Sequence, residues 1–154
     1  MNHPTRKSTR IPNFDYSKNQ YYFVTICTQD RKCIFGSVKA KSIFGRIAED
    51  CILKIESHYS RVKIDKYVVM PNHVHMIIII GCDNQNGKNP NLNHVVGLYK
   101  SGVSRIIHMM DPEVQVWQRS YHDRVIRGRD EYEMIWSYID TNPIRWDKDC
   151  YYNE

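Results

Sequence analysis

No apolar stretch in this chain is long enough to cross a bilayer. The longest aliphatic run, Met76 to Ile80, is five residues, against roughly 20 for a membrane-spanning helix. No apolar segment follows the basic start MNHPTRKSTR, which speaks against a secretory signal. The five cysteines, Cys27, Cys33, Cys51, Cys82 and Cys150, are odd in number, scattered, and without a C-x-x-C pair. That pattern offers no zinc framework and fits reduced thiols in a cytosolic protein. Nothing repeats along the chain, and no linker is long enough to separate domains. A strong charge of one sign is also missing. Lys and Arg total 22 and Asp and Glu 17, leaving +5, a balance that permits a polyanionic partner without requiring one. Extracellular, transmembrane and multidomain readings fall away. What remains is 154 residues with 42% hydrophobic and 25% charged side chains, the profile of one soluble domain. A domain of this size buries roughly 70% of its unfolded surface and needs no staple to fold.

Residues 1–20 are polar and basic, with Arg6, Lys7, Arg10 and Lys18. They read as an arm or irregular lead-in to a single domain over 21–154. YYFVTICT (21–28) is β-branched and aromatic, a first strand, and RKCIFGSVKAK follows as a loop with room for a short hairpin. Ile43, Phe44, Ile47, Cys51, Ile52 and Ile55 recur three or four apart and predict a helix over 43–57. RVKIDKYVVM (61–70) reads as a strand, Pro71-Asn72 as a tight turn, and HVHMIIII (73–80) as an antiparallel partner. The aliphatic residues of this last strand fall on both faces, which makes it a central strand covered on at least part of each. After a polar loop, Leu92, Val95, Val96, Tyr99, Val103, Ile106, Ile107 and Met110 form one stripe over 92–110, with Lys100, Ser101, Ser104, Arg105 and His108 opposite. Residues 114–126 read as a strand and a turn. Residues 130–141 read as a last helix with Tyr132, Ile135, Trp136 and Ile139 inward, stopped by Pro143. The order β-α-β-β-α-β plus a helix is that of an α+β, ferredoxin-like split βαβ fold. Its sheet is antiparallel, with helices on one face.

Two groups of residues carry candidate chemistry. His73 and His75 are two apart in a strand and so project side by side. They are either a satisfied histidine pair or half of a divalent metal site; their place at the mouth of a strongly apolar strand makes an unpartnered pair costly. Tyr138 and Asn142, in YIDTNP, are four apart and share a helix face. The plain reading packs Tyr138 in the core and makes Asn142 a C-terminal cap; the functional one makes them a nucleophile and an oxygen ligand. Arg119, Arg124, Arg127 and Arg129, with Trp117 and Tyr121 interleaved, suit phosphate contact with base stacking or simply a solvated turn. Lys100 and Arg105 on the preceding helix could reach the same groove. Tyr121, beside His122 and Asp123, competes with Tyr138 as a nucleophile.

MPNHVHMII, the helix with YKSGVSRII, VWQRSYHDRVIR and YIDTNPIRW together resemble the single-tyrosine HUH transposases, in particular their REP-associated branch in bacteria. The resemblance runs from about residue 20 to 147. It implies that His73 and His75 bind a divalent metal, Mg²⁺ or Mn²⁺, and that Tyr138 is the nucleophile. Insertion-sequence relatives carry glutamine four residues after the tyrosine as a third ligand; here that position is Asn142, one methylene shorter. The implied activity is cleavage and strand transfer of single-stranded or hairpin DNA through a 5′-phosphotyrosine, without ATP. The implied setting is the bacterial cytoplasm at the nucleoid, as a monomer or homodimer, with no membrane partner. The rival readings are a metal-dependent nuclease using water and a domesticated hairpin-binding protein with a silent site. Between Tyr138 and Tyr121, the resemblance favours Tyr138.

Overall fold

The structure, a computed structural model, describes residues 11, 13–16, 18, 20–81 and 87–152. Arg6, Lys7 and Arg10 of the expected arm, and Cys82, lie outside them. Along the chain run β1 (Gln20–Cys27), α1 (Ile43–Leu53), a four-residue α2 (Ile55–His58), β2 (Val62–Met70), β3 (His73–Ile80), α3 (Leu92–Met110), β4 (His122–Ile126) and α4 (Arg129–Thr141). The sheet order is β2-β3-β1-β4 and every pairing is antiparallel, the split βαβ arrangement expected.

β3 is buried at all eight positions, with β1 and β2 on either side. Because strand side chains alternate, it feeds two cores. Val74, Met76, Ile78 and Ile80 join α1 and α3 in the larger one. Ile77 meets Ile126, Ile135 and Ile139 in the smaller one, under α4. The expectation of helices on one face therefore holds for α1 and α3 only, and α4 covers the opposite face. His73 and His75 have the parity of Ile77 and fall on the α4 side.

Local chemistry sets the element ends. Ser42 caps α1 by accepting from Gly45 N at 3.1 Å, and Asn91 caps α3 by accepting from Asn93 N at 2.8 Å. Helix 43–57 is interrupted at Lys54. The expected hairpin after β1 closes at Gly36, paired with Lys41. Gly36 has φ +99°, and a Cβ there would lie 2.4 Å from Ser42 N, so only glycine fits. The strand expected within 114–126 is regular only over β4, although Gln118 N donates to Cys27 O and Gln29 N to Val116 O, both at 3.0 Å. Part of the lead-in is packed: Tyr16 is buried and stacks on Tyr22 at 6.0 Å.

α4 is fixed to β2 by polar contacts at a bulge. The β2–β3 register shifts between Ile64 and Lys66, which leaves Asp65 out of the ladder. Asp65 accepts from the Tyr132 hydroxyl. Lys66 Nζ reaches Asp140 at 2.7 Å and sits 3.9 Å from the centre of the Trp136 ring. Trp136, expected inward, is thus exposed under a lysine; the stripe facing the sheet runs through Tyr132, Ile135 and Ile139 instead. Each contact contributes on the order of 1 kcal/mol. Tyr132→Phe and Lys66→Ala should each lower stability by about that much. In native-state hydrogen exchange the loss of protection should concentrate in α4 and spare α1 and α3; a uniform loss along the chain would contradict a local clamp.

Candidate active site

Neighbouring strand and turn positions present the histidines. Thr25 lies opposite His75 and Cys27 opposite His73 across β1–β3, while Pro71-Asn72 links β2 to β3 so that Met70 pairs with His73. Thr28 N and Oγ1 both donate to Asn72 O, at 2.9 and 3.0 Å, and hold this turn under the end of β1. Both imidazoles are buried, their ring centres 4.5 Å apart.

Each ring is anchored through Nδ1. His73 Nδ1 meets Asn72 Oδ1 at 2.8 Å, and His75 Nδ1 meets Thr25 Oγ1 at 2.8 Å. The Asn72 amide orientation is set independently, since its Nδ2 donates to Arg31 O at 3.2 Å and Tyr151 O at 2.7 Å. Its oxygen must then accept from His73, so the proton of neutral His73 is on Nδ1 and Nε2 carries a lone pair. Such a hydrogen bond commonly fixes the tautomer of a metal-binding histidine.

α4 brings the remaining groups. Asn142, buried directly after the helix, donates through Nδ2 to Asp149, which turns its oxygen away from that carboxylate. His73 Nε2, His75 Nε2 and Asn142 Oδ1 are all buried and without a hydrogen-bond partner. Three buried polar atoms without partners together cost several kcal/mol, and with His75 in the same tautomer as His73 a cation would satisfy all of them. Two imidazole nitrogens and an amide oxygen form a donor set for a divalent cation. Asp149 lies close enough to the two histidines to complete a three-residue cluster whose ligand atoms fall within 4.8 Å of one another. Tyr138, 39% exposed, has its ring 5.3 Å from His75 and 6.2 Å from Phe23. A cleft of about 390 Å³ opens beside it, lined by Phe23, His122, Arg124, Met134 and Tyr151 among others.

Burial dominates the electrostatics. It holds His73 down to about 4, with Arg31 adding to the effect and Asp149 and Asn142 opposing it. Burial and then His73 hold His75 well below its usual 6.5. Both rings are therefore neutral at pH 7. Burial also raises Tyr138 above the usual phenol value, with Asp149 next in importance, so its resting form is the neutral phenol.

The other expected contacts divide. Arg124 lines the Tyr138 cleft, ion-paired to Glu131 at 2.6 Å. Arg127 and Arg129 are exposed around the start of α4, and Arg129 pairs with Glu133 at 2.9 Å. Lys100 and Arg119 line a separate groove between α3 and residues 112–119, and Arg105 borders the cleft between α1 and α3. Trp117 packs on Phe35 and Tyr99, donating to Lys100 O. Tyr121 is buried in the larger core and donates to Asn93. It offers neither a stacking face nor a free nucleophile, which corrects the expectation for that residue. Sequence reasoning missed Thr25, Asn72, Asp149 and Tyr151. Only Asn72, inside the turn before the histidines, carried any signal.

Residues 15–142 match the family described as transposase, IS200-like, and the chain belongs to that family. It is 31% identical over 167 residues to an uncharacterized protein of Haemophilus influenzae, covering 96% of this chain and 93% of that one. Its fold is similar to that of a REP-associated tyrosine transposase bound to a REP hairpin. The TM-score there is 0.66, with 18% identity, 88% of this chain and 73% of that one covered. A candidate transposase of Deinococcus radiodurans R1 gives a TM-score of 0.53, 16% identity and coverage of 86% and 95%. Among the described residues no helix is long and apolar enough to cross a membrane.

The buried imidazoles carry a stability cost at low pH. Their native pKa values lie below the unfolded value near 6.5, so the unfolded chain takes up protons first as pH falls. Stability is complete above 6.5 and declines towards pH 4, by roughly 3 kcal/mol for His73 alone. In EDTA, thermal melts should lose midpoint steadily across this window. The variant with His73→Asn and His75→Asn should show a clearly flatter profile; equal slopes would contradict neutral burial of the pair.

Proposed function

We propose that this chain cleaves and rejoins single-stranded DNA through a covalent 5′-phosphotyrosine on Tyr138. A divalent cation, Mg²⁺ or Mn²⁺, would be held by His73, His75 and Asn142. The observation that carries this reading is the buried His73–His75 pair, unpartnered at Nε2, with Asn142 facing His73 and a half-exposed tyrosine ring 5.3 Å from His75. When bound, the cation would polarise a phosphate oxygen and offset developing negative charge. Tyr138 Oη attacks phosphorus, the bond from phosphorus to the 3′ oxygen breaks, and a 3′-hydroxyl leaves as the phenol gives up its proton. The phosphotyrosine conserves the bond for rejoining. No ATP enters the balance.

The substrate is an unpaired strand, because the scissile phosphate must reach the cleft beside Tyr138. Phe23 and Met134 give that cleft apolar walls and Arg124 a cation, a combination suited to a nucleotide. Arg127 and Arg129 extend the basic rim. Lys100 and Arg119 give the groove between α3 and residues 112–119 a second basic region, suited to the phosphates of a paired stem, while Arg105 borders a different cleft. A hairpin presents a stem and an unpaired foot together, and the fold similarity to a hairpin-bound REP-associated transposase supports a palindromic element as target. Since α4 packs on the sheet of its own chain, one copy holds a full set of candidate groups, which supports a monomer that acts in cis. The workplace of such an enzyme is the bacterial nucleoid.

The test is a Mn²⁺-dependent reaction with single-stranded hairpin DNA, resolved on a denaturing protein gel. Wild type and Tyr121→Ala should give a covalent protein–DNA band, scaled to the folded fraction. Tyr138→Phe should give none, while a melt shows it folded. Cleavage by Tyr138→Phe without any adduct would replace this reading with a nuclease that uses water. Binding without cleavage in the wild type would favour a silent hairpin binder.

A further inference from the structure

An amide has two ends, and only one of them is a ligand. Turned one way, Asn142 offers its oxygen to a cation beside His73 and His75. Turned the other way, its NH₂ group would donate to the His73 lone pair and close the site. The two rotamers have nearly the same shape, so packing alone does not choose between them.

We propose that Asp149 is a positioning residue that makes this choice, using a circuit of hydrogen bonds with fixed polarity around the metal site. The proposal rests on the cation reading above. Asp149 accepts from Tyr151 N through Oδ1 at 2.8 Å and from Asn142 Nδ2 through Oδ2. An ionised carboxylate has no proton to give, so Asn142 must present its NH₂ there and its oxygen to the histidines. The circuit continues through the backbone of Tyr151. Its carbonyl accepts from Asn72 Nδ2 at 2.7 Å, which leaves Asn72 Oδ1 for His73 Nδ1 at 2.8 Å. The same chain of donors thus fixes the His73 tautomer at one end and the Asn142 amide at the other. The two ends face each other, since the Asn142 side chain lies against His73. Asp149 and Tyr151 lie seven and nine residues beyond Asn142, outside the helix that carries it.

The polarity of the circuit dictates the outcome of Asp149→Asn. Tyr151 N still needs an acceptor, so the substituted amide keeps its oxygen there and points its NH₂ at Asn142. Asn142 then turns over, and its own NH₂ meets the His73 lone pair. Exchanging the two side chains, Asn142→Asp with Asp149→Asn, restores an acceptor to the site, because a carboxylate presents oxygen on both sides.

The experiment measures Mn²⁺ affinity of the full chain without DNA, from the electron paramagnetic resonance signal of free Mn²⁺, with a thermal melt for each variant. Asp149→Asn should bind roughly 10–100-fold more weakly than wild type, the usual loss on removing a partner of a metal ligand. The exchanged pair should recover most of that loss. Wild-type affinity in Asp149→Asn, with a clear loss in His73→Ala, would overturn the proposal and leave the metal site standing. Weak binding in both Asp149→Asn and the exchanged pair would overturn it too, making Asp149 a direct ligand or a structural support. Wild-type affinity in His73→Ala would instead reject the cation reading on which the proposal rests.

Discussion

An imidazole taken out of water must replace the hydrogen bonds it gives up, and His73 and His75 do so at only one of their two nitrogens. The Nδ1 side is met by Asn72 and Thr25. The Nε2 side of each ring is left buried without a hydrogen-bond partner, as is the oxygen of Asn142, and on His73 that nitrogen is a lone pair. Folding alone gains nothing from such an arrangement, and its cost must be met by the two hydrophobic cores around it. That cost becomes intelligible if the three atoms share a cation, because coordination satisfies all of them together.

The rest of the fold supplies the rigidity this site needs. β3 is buried between two strands and packed on both faces, so the histidines cannot relax outward. α4 is held over them by Ile135 and Ile139, and at its edge by the Asp65–Tyr132 and Lys66–Asp140 contacts. A register change in one edge strand thus helps set where Tyr138 and Asn142 stand. Tyr138 keeps 39% of its surface exposed, which is what a group that must reach a large substrate requires.

Strong periodicity was legible from residue types, and weak or absent periodicity was not. The bounds of β3 and α3 could be read to the residue, because a run of aliphatics after Pro71-Asn72 and an eight-member stripe leave few alternatives. The second covered face of β3 was visible in its two-sided apolar pattern, but which helix covers it depends on chain reversal after β4, which no local pattern encodes. Trp136 looked inward by spacing, yet Lys66 offered its ring a cation at the surface. Tyr121 looked reactive beside His122 and Asp123, but strand alternation turns it into the core. In the site, spacing pairs His73 with His75 and Tyr138 with Asn142, but by spacing alone the second pair reads as a core residue and a helix cap, and only the family resemblance singled it out. Asp149 and Tyr151 did not, since they follow Pro143 in a segment without period and reach the site only by tertiary folding.

The central claim is that one point in the molecule is built to receive a divalent cation next to a nucleophilic tyrosine. Anomalous diffraction from crystals of the protein grown with Mn²⁺ tests it most directly. The account predicts a single strong peak within coordination distance of His73 Nε2, His75 Nε2 and Asn142 Oδ1, facing the Tyr138 hydroxyl. A peak elsewhere, or none at the histidines at saturating Mn²⁺, would contradict it.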